Sequence, residues 1–256
     1  MKAIAVNCSP RVDQNTDRMV RAALDGCAEA GFETEHYNLY QNGCFTGCLS
    51  CFGCKRAPHE GECIVNDGMK EILDGIREAD VVILGTPNYL GDVSAGFRSL
   101  FERMQFSNLT YKKEQRWYHT YNKEVLLIMS SNASEEWYEQ LGYTEVLEKY
   151  RKAFAAWLGH TEAVIAGNTL QVSDYSRYNW TMFDPEKKKE SREKQFPKDL
   201  EKARKHLMIC RLTVPGCIWP SAVYYPLPSA FMIRCVRKRK KPSTFCMKQG
   251  SAMSSC

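Results

Sequence analysis

Five cysteines in one short segment are the residues of this chain best suited to metal or redox chemistry. They are Cys44, Cys48, Cys51, Cys54 and Cys63, and two residues separate each neighbouring pair among the middle three. Thiols at this spacing can converge from a single loop, and thiolates suit an iron–sulfur cluster or zinc. We predict Cys48, Cys51, Cys54 and Cys63 as ligands, with Cys44 as the substitute if Cys63 cannot reach. A [4Fe–4S] cluster, structural zinc and free or disulfide-switching thiols all stay open.

A second group of residues is suited to binding an anion. An apolar run at 3–6 precedes a loop of small and hydroxyl-bearing residues, and apolar positions at helical spacing follow from Thr16. The first turn of a helix offers unpaired N–H groups, and Ser9, Asn15 and Thr16 add side-chain donors. The loop lacks both the lysine of a nucleoside-triphosphate loop and the G-x-G-x-x-G of a dinucleotide loop, which favours a phosphate monoester. An ordinary turn with a serine N-cap is the alternative.

Apolar runs alternate with amphipathic segments along the first two hundred residues. Strands are predicted at 34–39, 81–84, 125–129 and 162–165 in addition to 3–6, and helices at 16–30, 67–77, 93–104, 145–158 and 197–207. This alternation predicts an α/β fold with right-handed βαβ units and a doubly wound parallel sheet. Residues 173–196 are polar without periodicity and are predicted as a surface excursion.

Composition and charge divide the chain into two parts. Residues 202–256 hold eleven Lys or Arg and no Asp or Glu, so the net charge of +5 combines a mildly acidic body with a basic tail. We predict a domain at 1–208 and an irregular, poorly ordered tail at 209–256, and we do not expect this solvated extension to bind nucleic acid. Twelve cysteines without an export signal or a run long enough to cross a membrane predict a cytoplasmic protein with reduced thiols.

Three motifs resemble one known family. Ser9, Pro10 and Arg11, followed by Asn15 and Thr16, resemble the S-P-R-x(n)-N-T phosphate loop of the flavodoxin-like NAD(P)H-dependent FMN reductases. Residues 85–103 are similar to the loop that follows the third strand in that family. The cysteine segment resembles the iron–sulfur flavoprotein branch, although eight residues separate Cys54 from Cys63, where the branch has about four to seven.

The resemblance implies a flavodoxin-like sheet of five parallel strands in the order 2-1-3-4-5, which brings the loops after strands 1 and 3 to one crevice. It further implies that FMN lies in this crevice. Its phosphate would contact Ser9, Arg11, Asn15 and Thr16, and its ring would contact Pro87, Asn88, Tyr89 and Gly91. No catalytic triad is expected, because the flavin carries the chemistry.

The implied activity is transfer of electrons from NAD(P)H through FMN to a quinone, another small molecule or a protein, with a [4Fe–4S] cluster as a candidate relay. A homodimer or homotetramer is expected, and the aromatic-rich segment 108–123 serves either that interface or plain packing. Two alternatives stay open: a flavodoxin-type electron carrier without NAD(P)H activity, and a zinc-stabilised binding module.

Overall fold

The computed structural model describes residues 1–213, with side chains to residue 206. Five parallel strands form one sheet in the order β2-β1-β3-β4-β5. The strands are β1 (Lys2–Asn7), β2 (Glu33–Asn38), β3 (Val81–Pro87), β4 (Lys123–Ser130) and β5 (Gly159–Ala166). The predicted fold class and strand order are therefore confirmed. Strands β1 and β3 are neighbours, so the loops that follow them leave the sheet side by side.

Helices cover both faces of this sheet. They are α1 (Asn15–Glu29), α2 (Lys70–Glu78), α3 (Ala95–Asn108), α4 (Tyr143–Ala155), α5 (Pro185–Lys194) and α6 (Phe196–Thr213). One apolar core joins the sheet to α2, α3 and α4, and the other joins it to α1 and α6. Every residue of β3 is buried, because a central strand between two helical layers has no face toward solvent.

The segment 173–196, predicted as a surface excursion without periodicity, contains regular secondary structure. A 3-10 turn (Tyr175–Arg177) and α5 lie in this segment. The carboxylate of Asp184 accepts hydrogen bonds from the amides of Glu186 and Lys187, and Pro185 occupies the first turn. Helix α5 is polar almost throughout, so it has no apolar stripe from which periodicity could be read.

The end of the predicted domain falls inside a helix, because α6 continues past residue 208 to Thr213. The remainder of the predicted basic tail, 214–256, lies outside the described residues. Within the part of the chain that the structure describes, no helix is long and apolar enough to cross a bilayer.

Candidate functional site

The loop between β1 and α1 is shaped by its own polar side chains. Asn7 Oδ1 accepts from the Ser9 amide at 3.0 Å, and Ser9 Oγ accepts from the Arg11 amide at 3.1 Å. Ser9, Asn15 and Thr16 are buried, whereas Arg11 is exposed. The side chain of Gln14, at the N-cap of α1, makes no capping hydrogen bond. The first-turn amides of α1 are therefore not satisfied by their cap residue, as an anion site requires.

Asp17 is the one acidic residue in the first turn of α1, and its carboxylate is neutralised by neighbours. It bonds to His36 Nε2 at 2.9 Å, to Arg21 Nε at 3.2 Å and to the amide of Asp13 at 2.8 Å. Burial alone would raise the pKa of Asp17, but the hydrogen bonds from His36 and Asp13 outweigh it and lower the pKa. The pairing limits repulsion of a bound anion by this carboxylate.

The loop after β3 turns sharply at the same edge of the sheet. The amide of Asn88 donates to the Ser130 carbonyl at 2.7 Å, and Asn88 Oδ1 accepts from the amide of Gly91 at 3.0 Å. Gly91 has φ +88°, in the region that favours glycine. Pro87 is the last residue of β3, and Tyr89 is about half exposed. The turn therefore presents a tyrosine ring beside the backbone of residues 88–91.

Two hydrogen bonds connect the segments that carry the two loops. Ser94 Oγ donates to the carbonyl of Cys8 at 2.6 Å, which ties the start of α3 to the end of β1. Thr16 Oγ1 and Ser130 Oγ are 2.7 Å apart, which ties α1 to the end of β4. Burial raises the pKa of Tyr89, and the charge of the Arg11 guanidinium opposes this rise. The structure thus gathers both predicted loops at one edge of the sheet.

Helix α5 contributes two cations, which no sequence motif indicates, to the same edge of the sheet. Arg192 Nη1 donates to Asn15 Oδ1 at 3.0 Å, and Lys188 Nζ donates to the Asn132 carbonyl at 2.6 Å. Lys188 is buried, and burial lowers its pKa to about 8. Among the described residues, neither these cations nor Arg11 forms an ion pair with a carboxylate. The Asp184-Pro185 pair was the sequence signal that could have revealed this helix.

Four buried polar atoms without a hydrogen-bond partner lie in the segments that follow β3, β4 and β5. They are Asn88 Nδ2, Asn132 Oδ1, Tyr138 Oη and Gln171 Oε1, and within residues 1–206 the only further atom of this kind is Trp157 Nε1. Burial raises the pKa of Tyr138 to about 12. Buried polar groups are nearly always paired, so their concentration at the carboxyl edge fits a site for a polar ligand.

The cysteine segment forms a pocket against α3. Cys48, Cys51, Cys54 and Cys63 all line this pocket together with Arg103, whereas Cys44 is exposed and lies outside the lining. The amide of Ser50 donates to Cys48 Sγ at 3.4 Å, and Arg103 Nε donates to Cys63 Sγ at 3.3 Å. Within the described chain, no three Cys, His, Asp or Glu side chains are already arranged to hold a single metal ion. Four sulfur donors around one pocket are nevertheless a donor set that an iron–sulfur cluster or zinc can use.

The sheet order, together with an open helix N-terminus at its switch point, defines a flavodoxin-like α/β protein. The sequence matches the NADPH-dependent FMN reductase family over residues 1–164. The chain therefore belongs to this family, as the three motifs predicted.

Curated relatives are named iron–sulfur flavoproteins. One, from Methanocaldococcus jannaschii, is 42% identical over 103 residues, which are 40% of this chain and 51% of that protein. The chain thus spans about half the length of the curated relatives it matches.

Solved structures share the fold at low sequence identity. The NAD(P)H:quinone oxidoreductase from Methanothermobacter marburgensis aligns with a TM-score of 0.55 and 16% identity, over 80% of this chain and 96% of that one. An FMN-dependent NADH-azoreductase from Bacillus anthracis, solved in complex with FMN, aligns with a TM-score of 0.55 and 15% identity, over 82% and 99%.

Proposed function

We propose that this protein is an NAD(P)H-dependent flavin oxidoreductase that binds FMN at the carboxyl edge of its sheet. The observation that carries this proposal is the convergence of the 9–16 and 87–91 loops, tied together through Ser94 and Cys8 at 2.6 Å. Family membership supports FMN as the cofactor. Bound FMN would accept hydride from a nicotinamide and pass electrons on, and the protein would supply its placement.

The polar groups at this edge fit the two ends of FMN. Ser9, Asn15 and Thr16, with the open amides of α1, would hold the phosphate, and Arg11 would add a positive charge. Arg192 joins this set through Asn15.

The loop at Pro87, Asn88, Tyr89 and Gly91 would line the ring. Asn88 Nδ2 and Tyr138 Oη, which lie near each other, would turn toward its polar edge. The ring carries carbonyl oxygens and nitrogens, so donors at this position would fix its orientation.

We also propose that Cys48, Cys51, Cys54 and Cys63 hold a [4Fe–4S] cluster that relays electrons from FMN. The names of the curated relatives and the shared pocket of these four residues support this assignment. The acceptor would be a quinone, another small molecule or a protein.

We further propose a homodimer or homotetramer in the cytoplasm. The seven cysteines in the described part of the chain are all free thiols, which fits a reducing compartment.

Anaerobic purification followed by an absorption spectrum and assays of FMN, iron and acid-labile sulfide tests the proposal. We expect one FMN and about four irons per chain, with NADH or NADPH oxidised in the presence of an artificial acceptor. Flavin without NAD(P)H oxidation would make the protein an electron carrier. Detection of zinc without flavin would indicate a zinc-stabilised binding module. Failure to bind FMN after reconstitution would refute the proposed FMN site.

The variant Thr16→Val sharpens this test, because it removes one hydroxyl from the proposed phosphate site. We expect the Kd for FMN to rise about tenfold, the equivalent of one lost hydrogen bond of about 1.4 kcal/mol. Thr181→Val is the matched control, since Thr181 is exposed and lies outside the site. Equal affinity of the two variants would place the phosphate elsewhere.

A further inference from the structure

Arg103, on α3, is a fully buried guanidinium beside the cysteine pocket. Its side chain has no solvent exposure, which is rare for an arginine unless it is fully paired. Nη1 lies 2.7 Å from each carboxylate oxygen of Asp67, Nη2 donates to the carbonyl of Val65 at 2.9 Å, and Nε donates to Cys63 Sγ at 3.3 Å. One side chain thus holds three positions of the segment 63–67.

The partner carboxylate is itself fixed in place. Asp67 Oδ1 accepts from the amide of Met69 at 3.0 Å, and the carbonyl of Asp67 accepts from the amide of Lys70 at the start of α2. The ion pair with Asp67 therefore fixes the orientation of Arg103, and this pair by itself would explain why an arginine is buried here. The hydrogen bond from Nε to a cysteine sulfur is an additional contact that the ion pair does not require.

Cys63 is the pocket cysteine whose position depends most on such a contact. Cys48, Cys51 and Cys54 follow each other closely, whereas eight residues separate Cys54 from Cys63. A longer connection restricts the fourth thiol less, because the number of conformations grows with loop length. A donor from another element can supply the missing restriction.

We propose that Arg103 is the positioning residue of the cysteine pocket. It holds Cys63 Sγ toward the other three sulfurs, and its N–H raises the reduction potential of the centre bound there, because a donor to a ligand sulfur stabilises the added electron. This inference rests on the proposed function, in which the four cysteines hold a [4Fe–4S] cluster.

The variant Arg103→Lys tests the inference, because lysine keeps the charge but loses the planar fork and its Nε–H. The protein is reconstituted anaerobically with iron and sulfide, and three quantities are measured: iron per chain, the rate of iron loss to a chelator, and the midpoint potential from a titration followed by electron paramagnetic resonance. We expect iron loss about 10- to 100-fold faster than in wild type and a more negative potential. Bound FMN is measured on the same samples and should not change.

Arg98→Lys is the matched control, since Arg98 lies on the same helix but pairs with Glu102 at the surface. We expect this control to match wild type in all three quantities. Wild-type iron retention and potential in Arg103→Lys would overturn the inference. A wild-type chain that binds FMN but no iron would instead refute the relay in the proposed function, so the two failures are distinguishable.

Two further measurements cover a variant that fails to fold. Arg103→Met combined with Asp67→Leu replaces the buried ion pair by apolar side chains, a change that buried pairs often tolerate. Wild-type cluster properties in this double variant would overturn the inference. The wild-type protein labelled with 15N-arginine provides a test without any substitution. Pulsed electron paramagnetic resonance of its reduced cluster should detect a coupled 15N nucleus, and absence of that coupling would refute the hydrogen bond.

Discussion

Replacing Ser94 with Ala should weaken both the fold and the binding of FMN, because one buried hydroxyl connects the two proposed flavin loops. Ser94 Oγ donates to the Cys8 carbonyl at 2.6 Å and accepts from the amide of Phe97 at 3.2 Å as the N-cap of α3. Loss of the cap costs about 1 kcal/mol. Ser94 is completely buried, so water cannot take over the Cys8 carbonyl, which adds about 1–3 kcal/mol. The free energy of unfolding should therefore fall by about 2–4 kcal/mol.

Urea unfolding of the FMN-free protein measures this loss, and quenching of flavin fluorescence measures the Kd for FMN. We expect the Kd for FMN to rise about tenfold, which corresponds to about 1.4 kcal/mol. This value assigns about half of the lost free energy of unfolding to the two proposed flavin loops. Ser107→Ala is the control on the same helix. The hydroxyl of Ser107 is buried but bonds only to the Met104 carbonyl three residues earlier. If the free energy of unfolding falls no more in Ser94→Ala than in the control, the estimated cost of losing the Ser94 hydroxyl is refuted. If Ser94→Ala is destabilised but binds FMN with unchanged affinity, the coupling between the loops is refuted.

Three other changes test separate parts of the site. Cys63→Ser should abolish iron binding on reconstitution while Cys44→Ser retains about four irons, and the opposite order in an iron and sulfide analysis would make Cys44 the ligand. Arg192→Met should raise the Kd for FMN about tenfold in an equilibrium titration, because it removes a half-buried charge from the proposed phosphate site. Arg177→Met, at an exposed position, should leave the Kd unchanged, and equal effects of the two variants would exclude α5 from the site. Lys188 has its pKa lowered from 10.5 to about 8, so the unfolded chain binds more protons between these values and burial of the charge costs stability below pH 8. The free energy of unfolding of the FMN-free protein, measured relative to Lys188→Met, should therefore increase from pH 8 to 10.5, and a decrease would show that the folded state favours the charged lysine.

The fold and the position of the loop between β1 and α1 could be predicted because local and global signals agree there. Strands β1, β3 and β4 are short apolar runs that alternate with amphipathic segments, and this alternation indicates a parallel sheet. The loops after β1 and β3 then meet because parallel strands in this order share a carboxyl edge. Helix α3, which follows the second loop, could be predicted as well because Phe97, Leu100 and Met104 form an apolar face.

Hydrophobic periodicity does not predict the contributions of α5 and of Arg103, for two different physical reasons. Helix α5 is stabilised by its Asp184 cap and by surface ion pairs such as that of Lys189 with Glu186, neither of which produces hydrophobic periodicity. Arg103 lies among apolar residues of α3, and nothing local marks it as buried. Its partners Asp67 and Cys63 come from a segment about forty residues earlier, so only the tertiary structure reveals the contact.

Helix α3 links the two sites in a way that neither motif indicates. Its N-cap Ser94 is bonded to the end of β1, and Arg103 is bonded to Cys63 two and a half turns later. At 1.5 Å per residue these two positions are about 13 Å apart along the axis. The carbonyls at the C-terminal end of α3, at Phe106, Ser107 and Leu109, accept from Lys55 beside Cys54. Because a packed helix does not change its length, the proposed flavin loop and the cysteine pocket are held at a fixed separation, which is the arrangement that electron transfer between two centres requires.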